Sequence, residues 1–232
     1  DSLERLPKGI LIWRSLLQWL GGIGIVVLAL FILPFLRVGG MQLFHLEGDD
    51  PYEKTLPKIS SVATKIVIIY ISLTLILFCL YYTNGMNLFD SLAHSFTTIS
   101  TGGFSTYNES FAYFNNYKIL TIGIVFMILG SFPFLVLAQL NIRNPINIFN
   151  DQQVKIFLIV LVLSISLIYF FARNYLHGDE INKFISISFN TISIISGTGF
   201  VSENYENWGN YASVLFLILM FIGGCAGSTT GG

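Results

Sequence analysis

Five stretches of the chain run apolar and uncharged for about the length of a membrane crossing: residues 15–36, 66–89, 119–142, 156–172 and 207–232. A hydrocarbon core about 30 Å thick takes about 20 apolar residues in a helix. A backbone in lipid must satisfy its own hydrogen bonds, and none of these stretches alternates apolar with polar as a barrel strand does, so all five are predicted helices. The first is preceded by Asp1, Glu4, Arg5 and Lys8 and lacks a small-residue cleavage motif, which makes it a span and not a removed leader.

Two further segments, 88–105 and 184–202, are uncharged or nearly so yet do not suit lipid. Ser95, Thr97, Thr98, Ser100 and Thr101 fall within seven positions of the first, and each segment contains a Gly-Phe pair near its end. Such segments need a polar environment at membrane depth.

Composition sharpens the picture. Of 232 residues 53% are hydrophobic and 11% charged, the formal net charge is -1, and the mean hydropathy is +0.70. A soluble domain carries about 25% charged residues, so an ordinary soluble enzyme and a disordered chain are excluded. A nucleic-acid binder, which needs an excess of basic residues, is disfavoured too. Cys79 and Cys225 lie far apart in apolar runs and supply neither a disulfide framework nor a zinc cluster.

The chain also repeats itself. Ile99-Ser100, Gly103-Phe104 and Asn108 recur as Ile195-Ser196, Gly199-Phe200 and Asn204, all at an offset of 96 residues. Asn116-Tyr117, Ile128 and Gly130 recur as Asn210-Tyr211, Ile222 and Gly224 at an offset of 94, and Lys65-Ile66 matches Lys155-Ile156. Each unit runs span, short polar segment, Gly-Phe, polar loop, span. Residues 15–36 resemble the closing half of an earlier unit. At this period the chain holds about 2.4 units, which predicts a segment of a larger protein.

A helix that enters only part way must be short. Residues 88–99 would extend about 18 Å at 1.5 Å per residue and end near the midplane. Asn87 is placed to cap its start, and Asp90 in the first turn suits the positive end of the helix dipole. The partially negative end then points at Ser100, where it favours a cation. Beyond it lie Ser100, Thr101, Gly102 and Gly103, and in the other unit Ser196, Gly197, Thr198 and Gly199. Non-helical backbone at membrane depth survives only when protein buries it or it lines a watery cavity. Carbonyls of such loops can replace the hydration shell of an alkali cation, and neither loop carries an acidic residue.

These residues resemble a known family. Thr101-Gly102-Gly103-Phe104-Ser105 and Gly199-Phe200 look like the second and third filter loops of the Trk/Ktr/HKT superfamily of potassium transporters. Trp13-Arg14-Ser15-Leu16 with Trp19-Leu20-Gly21-Gly22-Ile23-Gly24 is similar to the segment after that family's first filter, and residues 223–232 look like the glycine-rich stretch of its third repeat. The resemblance covers essentially the whole chain and is strongest to the bacterial TrkH-type potassium uptake subunits. It implies an all-α integral membrane fold of repeated membrane–pore–membrane units with re-entrant pore helices, pseudo-fourfold in the complete protein. Residues 1–60 would then end repeat one and add a cytoplasmic connector, 61–150 would be repeat two, and 151–232 repeat three with a truncated closing helix.

The same resemblance implies uptake of K+ through a filter of backbone carbonyls, with Ser100, Thr101, Gly102, Gly103, Ser196, Gly197, Thr198 and Gly199 as its positions in this chain. Family members often carry threonine where this sequence has Gly197. Each helical Gly costs about 1 kcal/mol relative to Ala, so five in ten residues should break a helix at 223–232; in the family such a break gates the pore, and the resemblance makes Gly223, Gly224, Gly227, Ser228, Thr229, Gly231 and Gly232 the expected gate. A homodimer in the bacterial inner membrane is implied, with a cytoplasmic nucleotide-binding regulatory subunit of the TrkA/KtrA type as partner. Beyond K+ no cofactor and no nucleic acid is expected. Lys and Arg number six on each side of the membrane, so charge does not orient the chain. The resemblance places the filters outside.

Other features have plainer readings. Gly21, Gly22, Gly24 and Gly130 suit close helix packing. Arg14 at a span end would snorkel. His94 would be a packed or hydrogen-bonded residue, and His45 and His177 lie in loops without partners. Phe104 and Phe200 would pack behind the filter, and the 37–65 loop would be a solvated connector and a docking surface for a regulator. Two alternatives stand beside uptake through a pore. One is sodium/potassium symport. The other is an intramembrane enzyme, for which Asp90 and His94 are the one close ionisable pair, with Ser186 and Asn190 at their places in the other unit.

Overall fold

The computed structural model describes residues 3–36, 55–139, 145–176 and 178–231. Helix α1 covers Lys8–Leu36, α2 Thr55–Thr83, α3 Leu88–Ile99 and α4 Tyr117–Gly130. A short α5 covers Phe134–Ala138, followed by α6 Gln152–Ala172, α7 Glu180–Ile195 and α8 Asn210–Leu219. Among the described residues three helices are long and apolar enough to cross a membrane, within Lys8–Val27, Ser61–Thr83 and Gln152–Tyr175. Ile68, Leu75, Ile159, Val162 and Phe170 are exposed on α2 and α6. Such outward apolar faces are the mark of a helix bathed in lipid.

Two of the expected spans are not continuous helices. The 119–142 run ends as α4 at Gly130, and the chain turns before α5 starts at Phe134. Pro133 has no N–H and its ring disfavours helical backbone at Phe132. The Ser131 hydroxyl also bonds back to the Met127 carbonyl at 2.8 Å. The 207–232 run is helical only over Asn210–Leu219, and Gly223, Gly227 and Gly231 beyond it have φ of 71°, 75° and 68°. That handedness ends a right-handed helix and is open to glycine at no steric cost. Residues 37–54 of the connector, 140–144, His177 and Gly232 lie outside the described residues.

The short helices α3 and α7 occupy the middle of the bundle. Helix α3 packs on α1, α2 and α4, and α7 on α4, α6 and α8, so α4 joins the two units. Asn87 caps α3 as its sequence position suggests, accepting the Asp90 N–H at 2.9 Å. Both helices are buried along most of their length, polar positions included: Ser91, His94, Ser95, Thr97 and Thr98 in α3, Asn190, Thr191 and Ser193 in α7. The expected polar surroundings are therefore other parts of the protein: the Ser95, Thr97 and Thr191 hydroxyls bond to backbone carbonyls three or four residues back, and the Ser193 hydroxyl donates to the Phe200 carbonyl at 2.7 Å.

Candidate functional site

The chain leaves α3 and α7 in the same way. The capping residues Ser100 and Ser196 have φ/ψ of -76°/-4° and -77°/-6°. Thr101 and Gly197 then turn left-handed at φ 49° and 67°, and Gly103 and Gly199 at 79° and 82°. The Gly103 N–H reaches the Thr97 carbonyl at 3.4 Å and the Gly199 N–H the Ser193 carbonyl at 3.1 Å. Every one of these pairs is 96 positions apart. The repeat seen in the sequence is thus a repeat of backbone geometry, and Gly197 supplies a left-handed position that Thr101 holds against its preference.

The two loops meet. A Cβ built on Gly103 would lie 1.7 Å from the Thr198 carbonyl oxygen. Ser100, Thr101, Ser196 and Thr198 are buried, Gly102 and Gly103 are half-buried, and Gly197 and Gly199 are exposed. No carboxylate lies in either loop, and among the described residues no group of three His, Cys, Asp or Glu side chains stands together to hold a metal ion.

Side chains brace each loop from behind. The buried Asp90 carboxylate accepts from Thr106 Oγ1 at 2.7 Å, Tyr107 Oη at 2.8 Å and Asn87 Nδ2 at 2.6 Å. His94 Nδ1 lies 2.8 Å from the Asp90 main-chain oxygen and Nε2 3.0 Å from Ser105 Oγ. A carbonyl only accepts, so Nδ1 carries the proton and Nε2 receives the Ser105 hydroxyl. In the other unit Asn190 takes over, donating to Ser202 Oγ at 2.8 Å and accepting its N–H at 3.2 Å. Phe200 packs behind its loop against Phe111, with ring centroids 4.4 Å apart. Phe104 does not: it is 39% exposed and lies under Arg14, whose guanidinium is 4.4 Å from the ring centroid. Arg14, in the second turn of α1, thus has that aromatic ring as its neighbour.

Sequence reasoning missed Gln18. Its Nε2 donates to the Gly102 carbonyl at 2.6 Å and its Oε1 accepts the Phe104 N–H at 3.1 Å, so α1 grips the first loop on both sides of Gly103. The available signal was an amide in an otherwise apolar run. Tyr81 was also missed; its hydroxyl meets Thr98 Oγ1 at 3.1 Å. Of the four packing glycines, Gly22 abuts Ser100 and Gly130 abuts Thr101, whereas Gly21 and Gly24 face open space.

The described part of the glycine-rich stretch lies against the break in α4. The Cys225 N–H bonds the Ser131 carbonyl at 3.0 Å, the Phe134 N–H bonds the Gly227 carbonyl at 3.0 Å, and the Thr229 N–H bonds the Gly130 carbonyl at 3.2 Å. Ser228 is buried and donates to the Cys225 carbonyl at 2.6 Å. Gly224 and Thr230 face one another across the turn.

Comparison with known proteins agrees with this geometry. Residues 1–232 match the family described as TrkH, cation transport protein. The chain is 38% identical over 231 residues to the Trk system potassium uptake protein TrkI of Halomonas elongata, covering 99% of this chain and 47% of that protein. It is 37% identical over 238 residues to the Trk system potassium uptake protein TrkH of Vibrio parahaemolyticus, covering 100% of this chain and 49% of that one. The crystal structure of the potassium transporter TrkH from Vibrio parahaemolyticus superposes with a TM-score of 0.85 at 34% identity, over 98% of this chain and 46% of that chain. The chain spans about half the length of the curated relatives it matches.

Proposed function

The chain belongs to the TrkH family of cation transport proteins, and on that premise we propose that it forms part of a potassium uptake pathway across the membrane. The observation that carries the reading is the pair of matched loops, left-handed at Thr101 and Gly103 and at Gly197 and Gly199, that meet where the Thr198 carbonyl faces Gly103. In this reading residues 100–103 and 196–199 present main-chain oxygens to a dehydrated K+, and the ends of α3 and α7 add their negative dipole ends. The bracing by Gln18, Asp90 and Asn190 holds the loop shapes.

The glycine-rich stretch, Gly223 to Thr229 with Gly231 and Gly232, is the proposed gate. Its left-handed glycines support that role, since they interrupt the helix without a steric penalty. Residues 61–150 and 151–232 are then the second and third pore units, after 1–60. The enzyme reading loses its ground: His94 bonds the Asp90 main chain, and the Asp90 carboxylate is taken up by Thr106, Tyr107 and Asn87. A homodimer and a cytoplasmic nucleotide-binding regulatory subunit complete the proposal. A detergent-solubilised mass of one copy with no added subunit would contradict that last part.

Uptake of tracer rubidium by vesicles carrying the complete encoded protein tests the function. Uptake suppressed by excess K+ more than by equal Na+ is the expected result. Vesicles no more permeable than empty ones, with the protein folded and its regulatory partner present, would contradict it.

A further inference from the structure

Thr229 stands where four parts of the molecule meet. Its hydroxyl lies 3.1 Å from the Ile99 carbonyl and 3.0 Å from the Gly130 carbonyl, so its one proton is shared between them. Thr101 Oγ1 is 3.3 Å away. Ile99 ends α3, and its carbonyl is among the last four of that helix, which have no partner within it. Gly130 ends α4. A Cβ there would fall 3.1 Å from the Thr101 methyl, 3.2 Å from the Ile99 oxygen and 3.3 Å from the Thr229 hydroxyl. The missing side chain of Gly130 thus makes the hollow in which Thr101 and Thr229 touch.

Thr101 is the position with most to lose. It is a β-branched residue at φ 49°, a backbone it abandons unless its surroundings hold it there. Behind it, three main-chain bonds fasten residues 225–229 to the break between α4 and α5, and two of the groups they use, the Ser131 carbonyl just past α4 and the Phe134 N–H at the start of α5, are freed by the break at Pro133.

We propose that Thr229 is a positioning residue that ties the glycine-rich stretch to the first filter loop, so that displacing the stretch also releases Thr101 and the Ile99 carbonyl. Flow and ion preference are then controlled together: when the stretch moves, the foot of the filter loosens with it. The inference rests on the reading of 100–103 as filter and of 223–232 as gate.

The test is Thr229→Val in the complete encoded protein, with rubidium and sodium uptake measured in the same vesicles. Valine keeps the branched shape and removes the hydroxyl. The rubidium-to-sodium ratio should fall about fivefold, the effect of one hydrogen bond of ordinary strength, and Thr229→Ser should restore it. A merely structural defect lowers both fluxes equally and leaves the ratio alone. An unchanged ratio in Thr229→Val would overturn the tie. Should valine prevent assembly, Thr229→Cys, of similar size but a weak donor, should show the same fall, and an unchanged ratio there overturns the tie as well. Gly227→Ala separates the two readings: altered flux in Gly227→Ala beside an unchanged ratio in Thr229→Val leaves the gate standing and removes the tie.

Discussion

The carbonyl oxygen of Thr198 lies 1.7 Å from the point a Cβ on Gly103 would occupy. The two loops are in contact through the absence of one methyl group. Gly103→Ala must push that carbonyl aside and hold alanine at φ 79°, where an L-residue pays about 1–2 kcal/mol before any clash. We expect rubidium uptake to drop at least about tenfold, the equivalent of 1.4 kcal/mol. Uptake within twofold of wild type would show that the contact does not shape the pathway.

Gly197→Thr should behave differently. A Cβ at Gly197 meets nothing within 4 Å, and its φ of 67° is close to the 49° that Thr101 adopts at the matching position. The cost is the backbone preference alone, about 1–2 kcal/mol. Protein yield and uptake should stay within about threefold of wild type, and a loss as large as that of Gly103→Ala would contradict this picture of the second loop.

Gly22 and Gly21 offer a paired comparison in α1. A Cβ on Gly22 would stand 2.8 Å from the Ser100 Cβ and 2.9 Å from the Tyr70 hydroxyl, whereas one on Gly21 meets nothing. Gly22→Ala should destabilise by about 1–3 kcal/mol through overpacking at the foot of α3. Gly21→Ala should be neutral or slightly stabilising in the same thermal-unfolding assay. Equal effects would mean that α1 does not press on Ser100 as described.

Asp90→Asn places an amide donor where Thr106, Tyr107 and Asn87 already point donors at a carboxylate. At least one of those donors loses its acceptor inside the protein, at a cost of about 1–3 kcal/mol. Thermal stability should fall accordingly, with the ion preference weakened because Thr106 and Tyr107 carry the chain away from the first loop. Wild-type stability in Asp90→Asn would show that the carboxylate is not the anchor of that segment.

Much of this was legible in the sequence, for reasons tied to particular residues. Uncharged runs located α1, α2 and α6, and the 96-residue offset located both loops, because their left-handed turns require glycine or a strained threonine at fixed places. Asn87 and Asp90 announced the start of α3 through capping chemistry that is local in sequence. What stayed hidden was long-range. Pro133 was visible, yet an apolar run around it reads as one span, and only packing shows α4 ending at Gly130 to receive residues 225–229. Gln18 acts 84 positions from Gly102, so no local pattern marks it. Phe104 and Phe200 are equivalent in the repeat, but one faces Arg14 and the other Phe111, a difference made by neighbours outside the repeating unit.

The central claim is that main-chain oxygens of residues 100–103 and 196–199 hold the ion. Anomalous diffraction from crystals of the complete encoded protein grown in rubidium tests it most directly. The account predicts a rubidium peak between the two loops, surrounded by their carbonyl oxygens and displaced by excess K+. A protein with its loops ordered but with rubidium absent there, or bound instead beside carboxylates such as Asp90, would contradict it.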